Sequence, residues 1–270
     1  MKALKNFLHV TFLSIVIVII LFPVFWTILS SFKKDVDIFA IPPKIFFTPT
    51  VEHYINIFNQ GAFLYLKNSL IITIFTSLLA VAMGTLGGYA FGAYNFKGKS
   101  NLFFWLISNQ FMIPIVLIVP YFFILVKIGG LNTYWSLILV EQTFTIPISV
   151  WLISGQVAII PTSIFEAAKI DGLSNWGIFI KMVLPLSLPS IAAAFLIDFI
   201  FSWNNLVYPL LLTTKMSLRT LPIMSVTYLG GYLVPWGSIL ATSTFTILPI
   251  AIIALLTSKY IVRGMTLGAI

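Results

Sequence analysis

The sequence predicts an all-α polytopic membrane protein with six transmembrane helices. Three observations carry that reading. Apolar residues make up 60% of the 270 and charged residues 8%, whereas an ordinary soluble domain carries about 25% charged. So much apolar surface has no place in one soluble core, and lipid must be the solvent. The apolar residues also fall in charge-free runs of about 20, the length a helix rising about 1.5 Å per residue needs to cross a hydrocarbon core of about 30 Å. Finally, the runs lack the strict alternation of barrel strands, which leaves the helix as the spanning element.

The first span is expected at about 10–31. Lys2 and Lys5 ahead of it mimic a signal peptide, but the uncharged run from Val10 to Phe32 is too long and no small-x-small site follows. The second span lies within 68–96 and the third within 101–126. The fourth is at about 134–157, the fifth at about 186–207 and the sixth at about 237–258. Pro114, Pro120, Pro147 and Pro249 are expected to interrupt four of these stretches, because each removes a backbone donor. Between spans, Pro42, Pro43 and Pro49 keep the loop 32–66 extended. Apolar Val51, Tyr54, Ile55 and Phe58 give that loop one short interfacial helix. Residues 208–236 form a second loop on the same side.

Several function classes drop out on composition. The net charge is +8, but the basic residues stand singly at span ends, so no nucleic-acid surface is expected. There is no cysteine, hence no disulfide and no thiolate metal site. His9 and His53 are far apart, and no metal site is expected. "NFKGKS" at 95–100 imitates a phosphate loop, yet the required earlier glycine would fall at position 93, which is Ala93, and no strand precedes it. No paired carboxylates or nucleophile–base set emerges, so the chain is not read as an enzyme.

The positive-inside rule orients the chain weakly. With a cytoplasmic N-terminus, the inner side receives Lys2, Lys5, Lys97, Lys99, Lys169, Lys181, Lys259 and Arg263. The outer side receives Lys33, Lys34, Lys44, Lys67, Lys127, Lys215 and Arg219. Several of the outer residues sit in a long loop, which the rule discounts. Both termini are therefore placed in the cytoplasm.

One inner segment is polar and helix-friendly: "IPTSIFEAAKIDGLSNWGIFIKMVLPLSLPSI", 160–191. Pro161 suits an early helical position, Ser163 and Glu166 have capping-box spacing, and Gly172 suits a left-handed stop. Ser174 is placed to cap a second helix, which runs to Leu184–Pro185, where the fifth span opens. Ile164, Phe165, Ala168 and Leu173 form one face that Glu166, Lys169 and Asp171 do not share. Two readings are open at this point: a connector on the membrane surface, or a lever that docks in the groove of a soluble partner.

"EAAKIDGLSNWGIFIKMVLPLSLPSI" resembles the EAA loop of bacterial ABC-importer permeases. Further matches run along the chain: "SFK" at 31–33, "GGLNTYWSLIL" at 129–139, "IP" at 146–147, "WNNLVYPLLL" at 203–212, "TLP" at 220–222 and "KYIVRGMTLGAI" at 259–270. Together they resemble the smaller permease subunit of maltose-type carbohydrate importers. The resemblance implies the type I ABC importer permease fold, a single permease domain over 1–270, with a cytoplasmic coupling loop at 160–185 and an extracytoplasmic loop at 32–66. It implies a bacterial inner-membrane assembly with a second homologous permease, two ATPase subunits and an extracytoplasmic solute-binding protein. Cofactors are expected in none of this chain; ATP and Mg would be held by the ATPase subunits. Glu166, Ala167, Ala168, Lys169, Asp171 and Gly172 would then dock on the ATPase.

Polar residues inside spans are costly and usually face a bundle interior or a cavity. Asn109 and Gln110 in the third span, Glu141 and Gln142 in the fourth, and Asp198 in the fifth are candidates to line a path for a hydroxyl-rich carbohydrate. Trp203, Asn204 and Tyr208 at the end of the fifth span join them. For Glu141 and Asp198 the alternative is interhelical hydrogen bonding, and for Asn109 and Gln110 that alternative is the stronger. An ion- or proton-coupled carrier working through Glu141 and Asp198 is the competing function, and a purely structural scaffold is a third.

Overall fold

The computed structural model describes residues 2–230 and 233–267, with side chains described over 6–230 and 233–258. The closing stretch 259–270 and the basic residues Lys2, Lys5, Lys259 and Arg263 thus lie outside the described side chains. No strand occurs among the described residues. The helices in chain order are α1 (Lys2–Ser31), α2 (Asp35–Ile38), α3 (Glu52–Asn59), α4 (Ala62–Ala93), α5 (Lys99–Ser108), α6 (Pro114–Lys127) and α7 (Tyr134–Ile159). They continue with α8 (Thr162–Ile170), α9 (Asn175–Ile178), α10 (Leu184–Trp203), α11 (Val207–Leu212), α12 (Leu221–Thr227) and α13 (Trp236–Leu267).

Among the described residues, five stretches are long and apolar enough to cross a bilayer: Asn6–Ser31, Ala62–Ala93, Tyr134–Ile159, Asn175–Trp203 and Trp236–Ser258. The expected third span is instead a broken pair. Lys99–Phe111 and Pro114–Lys127 meet at a bend of 100°, so the count is six only if that pair is one span. The cause is local. Met112 (φ −76°, ψ 133°) and Ile113 (φ −73°, ψ 124°) are extended, the conformation forced on a residue preceding proline, and a 3₁₀ turn over Asn109–Phe111 ends the first arm.

The other prolines behave differently from expectation. Pro120, Pro147 and Pro249 lie inside α6, α7 and α13, which run on through them. Each costs its helix one backbone bond without ending it. Pro185 stands in the first turn of α10, as expected, but no break separates it from the helix before it. A π-helical stretch over Phe179–Val183 joins α9 to α10, and the whole of Asn175–Trp203 forms one apolar stretch.

The chain divides into two compact units, Met1–Phe63 with Met224–Leu248, and Leu64–Ile223 with Pro249–Ile270. In the first, Lys33 is buried. Its ammonium lies 4.1 Å from the Trp26 ring centroid and 5.4 Å from that of Phe47, a cation–π arrangement that offsets desolvation. The expected short helix exists as α3, but its inward residues are His53 and Ile57, while Val51 and Ile55 are exposed. The face turns because the His53 ring hydrogen-bonds the Lys33 carbonyl at 2.9 Å. It also fills the space that a side chain at Gly237 would need, since a Cβ there would lie 2.1 Å from it.

In the second unit α7 packs along α10, and α4 presses on α7 through small residues. A Cβ added at Gly84, Gly88 or Gly92 would lie 2.2 Å from Ser149 Cβ, 2.7 Å from Ile153 Cγ2 or 2.5 Å from Val157 Cβ. The four-residue spacing puts these glycines on one helical stripe. Small residues in such a stripe let membrane helices approach closely enough for dispersion to hold them. Two apolar clusters complete the packing. One gathers Ile72, Ile118, Leu125, Leu137, Val140, Tyr208 and Leu212. The other gathers Ile153, Val157, Ala168, Ile178, Phe179, Val183 and Ala194.

Candidate functional site

A cavity of about 380 Å³ opens where the bend between α5 and α6, the first turns of α7, the end of α10 and the start of α11 meet. Its wall holds Gln110, Met112, Pro114, Glu141, Phe144, Thr145, Phe201, Ser202, Asn204, Asn205, Leu206, Val207 and Tyr208. The helix break is what brings Gln110 here. Its Nε2 donates to the Phe144 carbonyl at 2.6 Å and ties the bend to α7.

Glu141 is the centre of the cavity's polarity. It is buried, and both of its oxygens accept hydrogen bonds, from Ser202 Oγ at 2.5 Å and from Asn205 Nδ2 at 2.9 Å. Ser202 Oγ also lies 3.3 Å from Thr73 Oγ1, so α4, α7 and α10 share the network. Tyr208 is 1% exposed, and its hydroxyl has no hydrogen-bond partner.

Of the residues expected to line a path, Gln110, Glu141, Asn204 and Tyr208 meet at this cavity. The others do not. Asn109 donates to Leu106 O on its own helix at 3.2 Å. Gln142 donates to the carbonyls of Thr76 and Ile138 at 3.2 and 2.9 Å, which holds α4 to α7. Asp198 is fully buried and accepts from Ser149 Oγ at 2.6 Å. Trp203 is buried and stacks on Phe199 with centroids 5.6 Å apart. Ser202 and Asn205 belong to the site as well; the signal for Asn205 is its place in "WNNLVYP" next to Asn204.

The polar segment after α7 forms a second candidate element. Extended Ile160 and Pro161 (ψ 123° and 136°) turn the chain out of α7, and α8 follows. Its N-cap is Pro161 and no side chain caps it. The capping box expected of Ser163 and Glu166 is therefore out of register, because a box needs its serine at the cap itself. The other end is as expected. Gly172 has φ +80°, and the amides of Gly172 and Leu173 donate to the carbonyls of Lys169 and Ala168, both at 3.0 Å, the pair of bonds of a Schellman stop. Ser174 Oγ then accepts from the Gly177 amide at 3.1 Å and caps α9.

The element is clamped on one side and free on the other. Ala168 is buried against Ile153 and Val157 of α7 and Ala194 of α10, with Phe165 and Leu173 packed onto the same cluster. Glu166, Ala167, Lys169, Asp171 and Gly172 are exposed. Of the six residues expected to dock, Ala168 alone faces inward. Ile170 and Trp176, 86% and 60% exposed, add apolar surface that the helical pattern did not mark.

Known proteins show which family the chain belongs to. The family model "Binding-protein-dependent transport system inner membrane component" matches residues 84–266, more than half of the chain. The chain is 33% identical to the trehalose/maltose transport system permease protein MalG of Thermococcus litoralis, over 100% of this chain and 98% of that one. It is 33% identical to the arabinooligosaccharides transport system permease protein AraQ of Halalkalibacterium halodurans, covering 93% and 91%. A solved bacterial ABC transporter that imports the acidic polysaccharide alginate shares the fold, with a TM-score of 0.75, 17% identity, and 96% and 97% of the two chains covered. The chain belongs to the inner membrane components of binding-protein-dependent transport systems, the permease family of ABC importers.

Proposed function

We propose that the chain is a permease subunit of an ATP-driven carbohydrate importer. It forms half of the translocation path beside a second homologous permease and takes its energy from two separate ATPase subunits. The full-length relatives at 33% identity carry the names of trehalose, maltose and arabinooligosaccharide permeases, which supports the carbohydrate class and favours this reading over an ion- or proton-coupled carrier. In this reading ATP and Mg stay on the ATPase subunits. The N- and C-termini are cytoplasmic, and an extracytoplasmic solute-binding protein meets the loops 32–66 and 208–236.

One observation carries the coupling role of 160–185. Its inward face is locked onto α7 and α10 through Ala168, Phe165 and Leu173, while Glu166, Lys169 and Asp171 are outward. The same two helices carry Glu141 and Ser202 to the cavity. Val157 and Glu141 are separated by 16 residues, about 24 Å along α7 at about 1.5 Å per residue. A push on the outward face therefore reaches the cavity through two stiff rods. The test is uptake of radiolabelled maltose or trehalose by proteoliposomes holding the complete assembly. Uptake that requires internal ATP, and that falls in Glu166→Lys while the assembly still purifies intact, supports the reading. Uptake by this chain alone, driven by a proton gradient, contradicts it.

A further inference from the structure

A separate groove of about 640 Å³ lies where α4, the start of α7 and the loop after α11 meet. Its apolar part is Ile71 and Phe75 of α4 with Trp135 and Ile138 of α7, and Lys215 and Ser217 of the loop stand at its polar end. Side-chain bonds fix the loop over the two helices. Asn68 Nδ2 donates to the carbonyls of Ser217 and Arg219, both at 2.9 Å, while Asn68 Oδ1 accepts from the Tyr134 hydroxyl at 2.6 Å. Asn132, in the left-handed region at φ 60°, accepts at Oδ1 from the Lys215 amide at 3.0 Å. The backbone of Lys215 is thereby anchored, and its side chain is exposed.

The groove is ordered from charge to grease along both helices. Lys67, Ile71 and Phe75 stand four residues apart on one face of α4, about 6 Å per step. Lys67 is exposed, and Phe75, about 12 Å further in, is 57% exposed. On α7, Trp135 sits in the first turn and Ile138 one turn deeper; tryptophan favours the headgroup level of a bilayer. Lys67 and Lys215 make no ion pair among the described residues, and no acid lines the groove. We propose that this groove binds one anionic phospholipid, with its phosphate facing Lys215 and Lys67 and an acyl chain lying along Ile71, Phe75 and Ile138. Two unpaired cations above a deeper apolar channel match a headgroup above its chain, and basic pockets between spans attract such headgroups. A free anion would use the lysines and leave Phe75 and Ile138 uncovered. The proposal goes beyond the import reading and takes from it only the leaflet, the outer one.

The test is native mass spectrometry of the purified assembly, titrated with dioleoyl phosphatidylglycerol or with dioleoyl phosphatidylcholine, which has the same chains and no net charge. The tightest-held phosphatidylglycerol is expected to outbind phosphatidylcholine, and to weaken about fivefold in Lys215→Gln and in Lys67→Gln, the effect of one lysine at a membrane surface. Lys215→Arg should keep it. Trp135→Ala should weaken both lipids alike. Glycerophosphoglycerol, the same headgroup without chains, should not compete. Phe75→Cys would be the only thiol of this chain, and a photoactivated benzophenone attached to it should join lipid. Equal affinity for the two lipids, an affinity unchanged in Lys215→Gln, competition by the chain-free headgroup, or a cross-link to a second permease overturns the proposal. Binding of the lipid needs neither ATP nor sugar, so ATP-driven uptake that fails while the lipid stays bound counts against the import reading alone.

Discussion

Asp198 offers the sharpest test of how polar groups hold the spans together. It is fully buried inside α10, with one oxygen accepting from Ser149 Oγ at 2.6 Å and the other without a partner. Ser149→Ala keeps the Cβ that packs against Gly84 and removes only the hydroxyl. Stranding a buried polar group costs about 1–3 kcal/mol. Membrane helices lose less, about 0.6 kcal/mol on average and at most about 1.7, because the unfolded chain in lipid also finds partners. The expected loss is therefore about 1–1.7 kcal/mol, seen as a thermal midpoint in detergent lower by a few degrees. Adding Asp198→Leu should recover most of that loss, since replacing a buried polar pair by apolar side chains of similar volume is often neutral or stabilising. ATP-driven uptake should follow the stability. Ser149→Ala with an unchanged midpoint and strongly reduced uptake would refute this account and assign Asp198 to the solute path.

The remaining predictions follow from single contacts. Gly88→Ala puts a Cβ 2.7 Å from Ile153 Cγ2 and 3.0 Å from the Ser154 amide nitrogen. It should cost about 1–3 kcal/mol by overpacking, measured as a lowered midpoint, whereas Gly155→Ala, which meets nothing within 4 Å, should be silent. At Gly172 the space is open and the φ of +80° is the constraint. Gly172→Val should lose about 1–2 kcal/mol of local stability and weaken co-purification of the ATPase subunits, while Gly172→Asn, tolerated in that region, should retain them. Trp26→Leu removes the ring 4.1 Å from the buried Lys33 ammonium. It should cost about 1–2 kcal/mol, with Trp26→Phe intermediate in the same melting assay.

The order of the spans and the position of five of them were legible because length and charge-free runs are set by the bilayer alone. The Gly172 stop and the Ser174 cap were legible because each depends on one residue and its immediate neighbours. Pro114 is expected to interrupt the third span and does so as a 100° bend; the size of the bend depends on what surrounds it, here the α7 carbonyl of Phe144, which accepts from the Gln110 side chain. The glycine stripe of α4 was visible as "GTLGGYAFG" but remained unread, since its meaning lies in what α7 sets against it. Separating Glu141 from Asp198 lay beyond the sequence. Both are lone acids in apolar spans, and only the fold aims one at a cavity and the other at a serine. Lys33 was counted among the outer basic residues, yet it is buried over Trp26, a contact that loop geometry creates.

The central claim is that 160–185 is the handle by which a separate ATPase drives this subunit. Lys169→Cys, the only thiol of the chain, sits on the exposed face of α8, and its contacts can be read directly by bifunctional cross-linking in the assembled importer. The account predicts a cross-link to the ATPase subunit whose yield changes when ATP binds, and no labelling of the thiol by a membrane-impermeant maleimide added to intact cells. Labelling from outside, or a thiol that never joins the ATPase in an active complex, would contradict it.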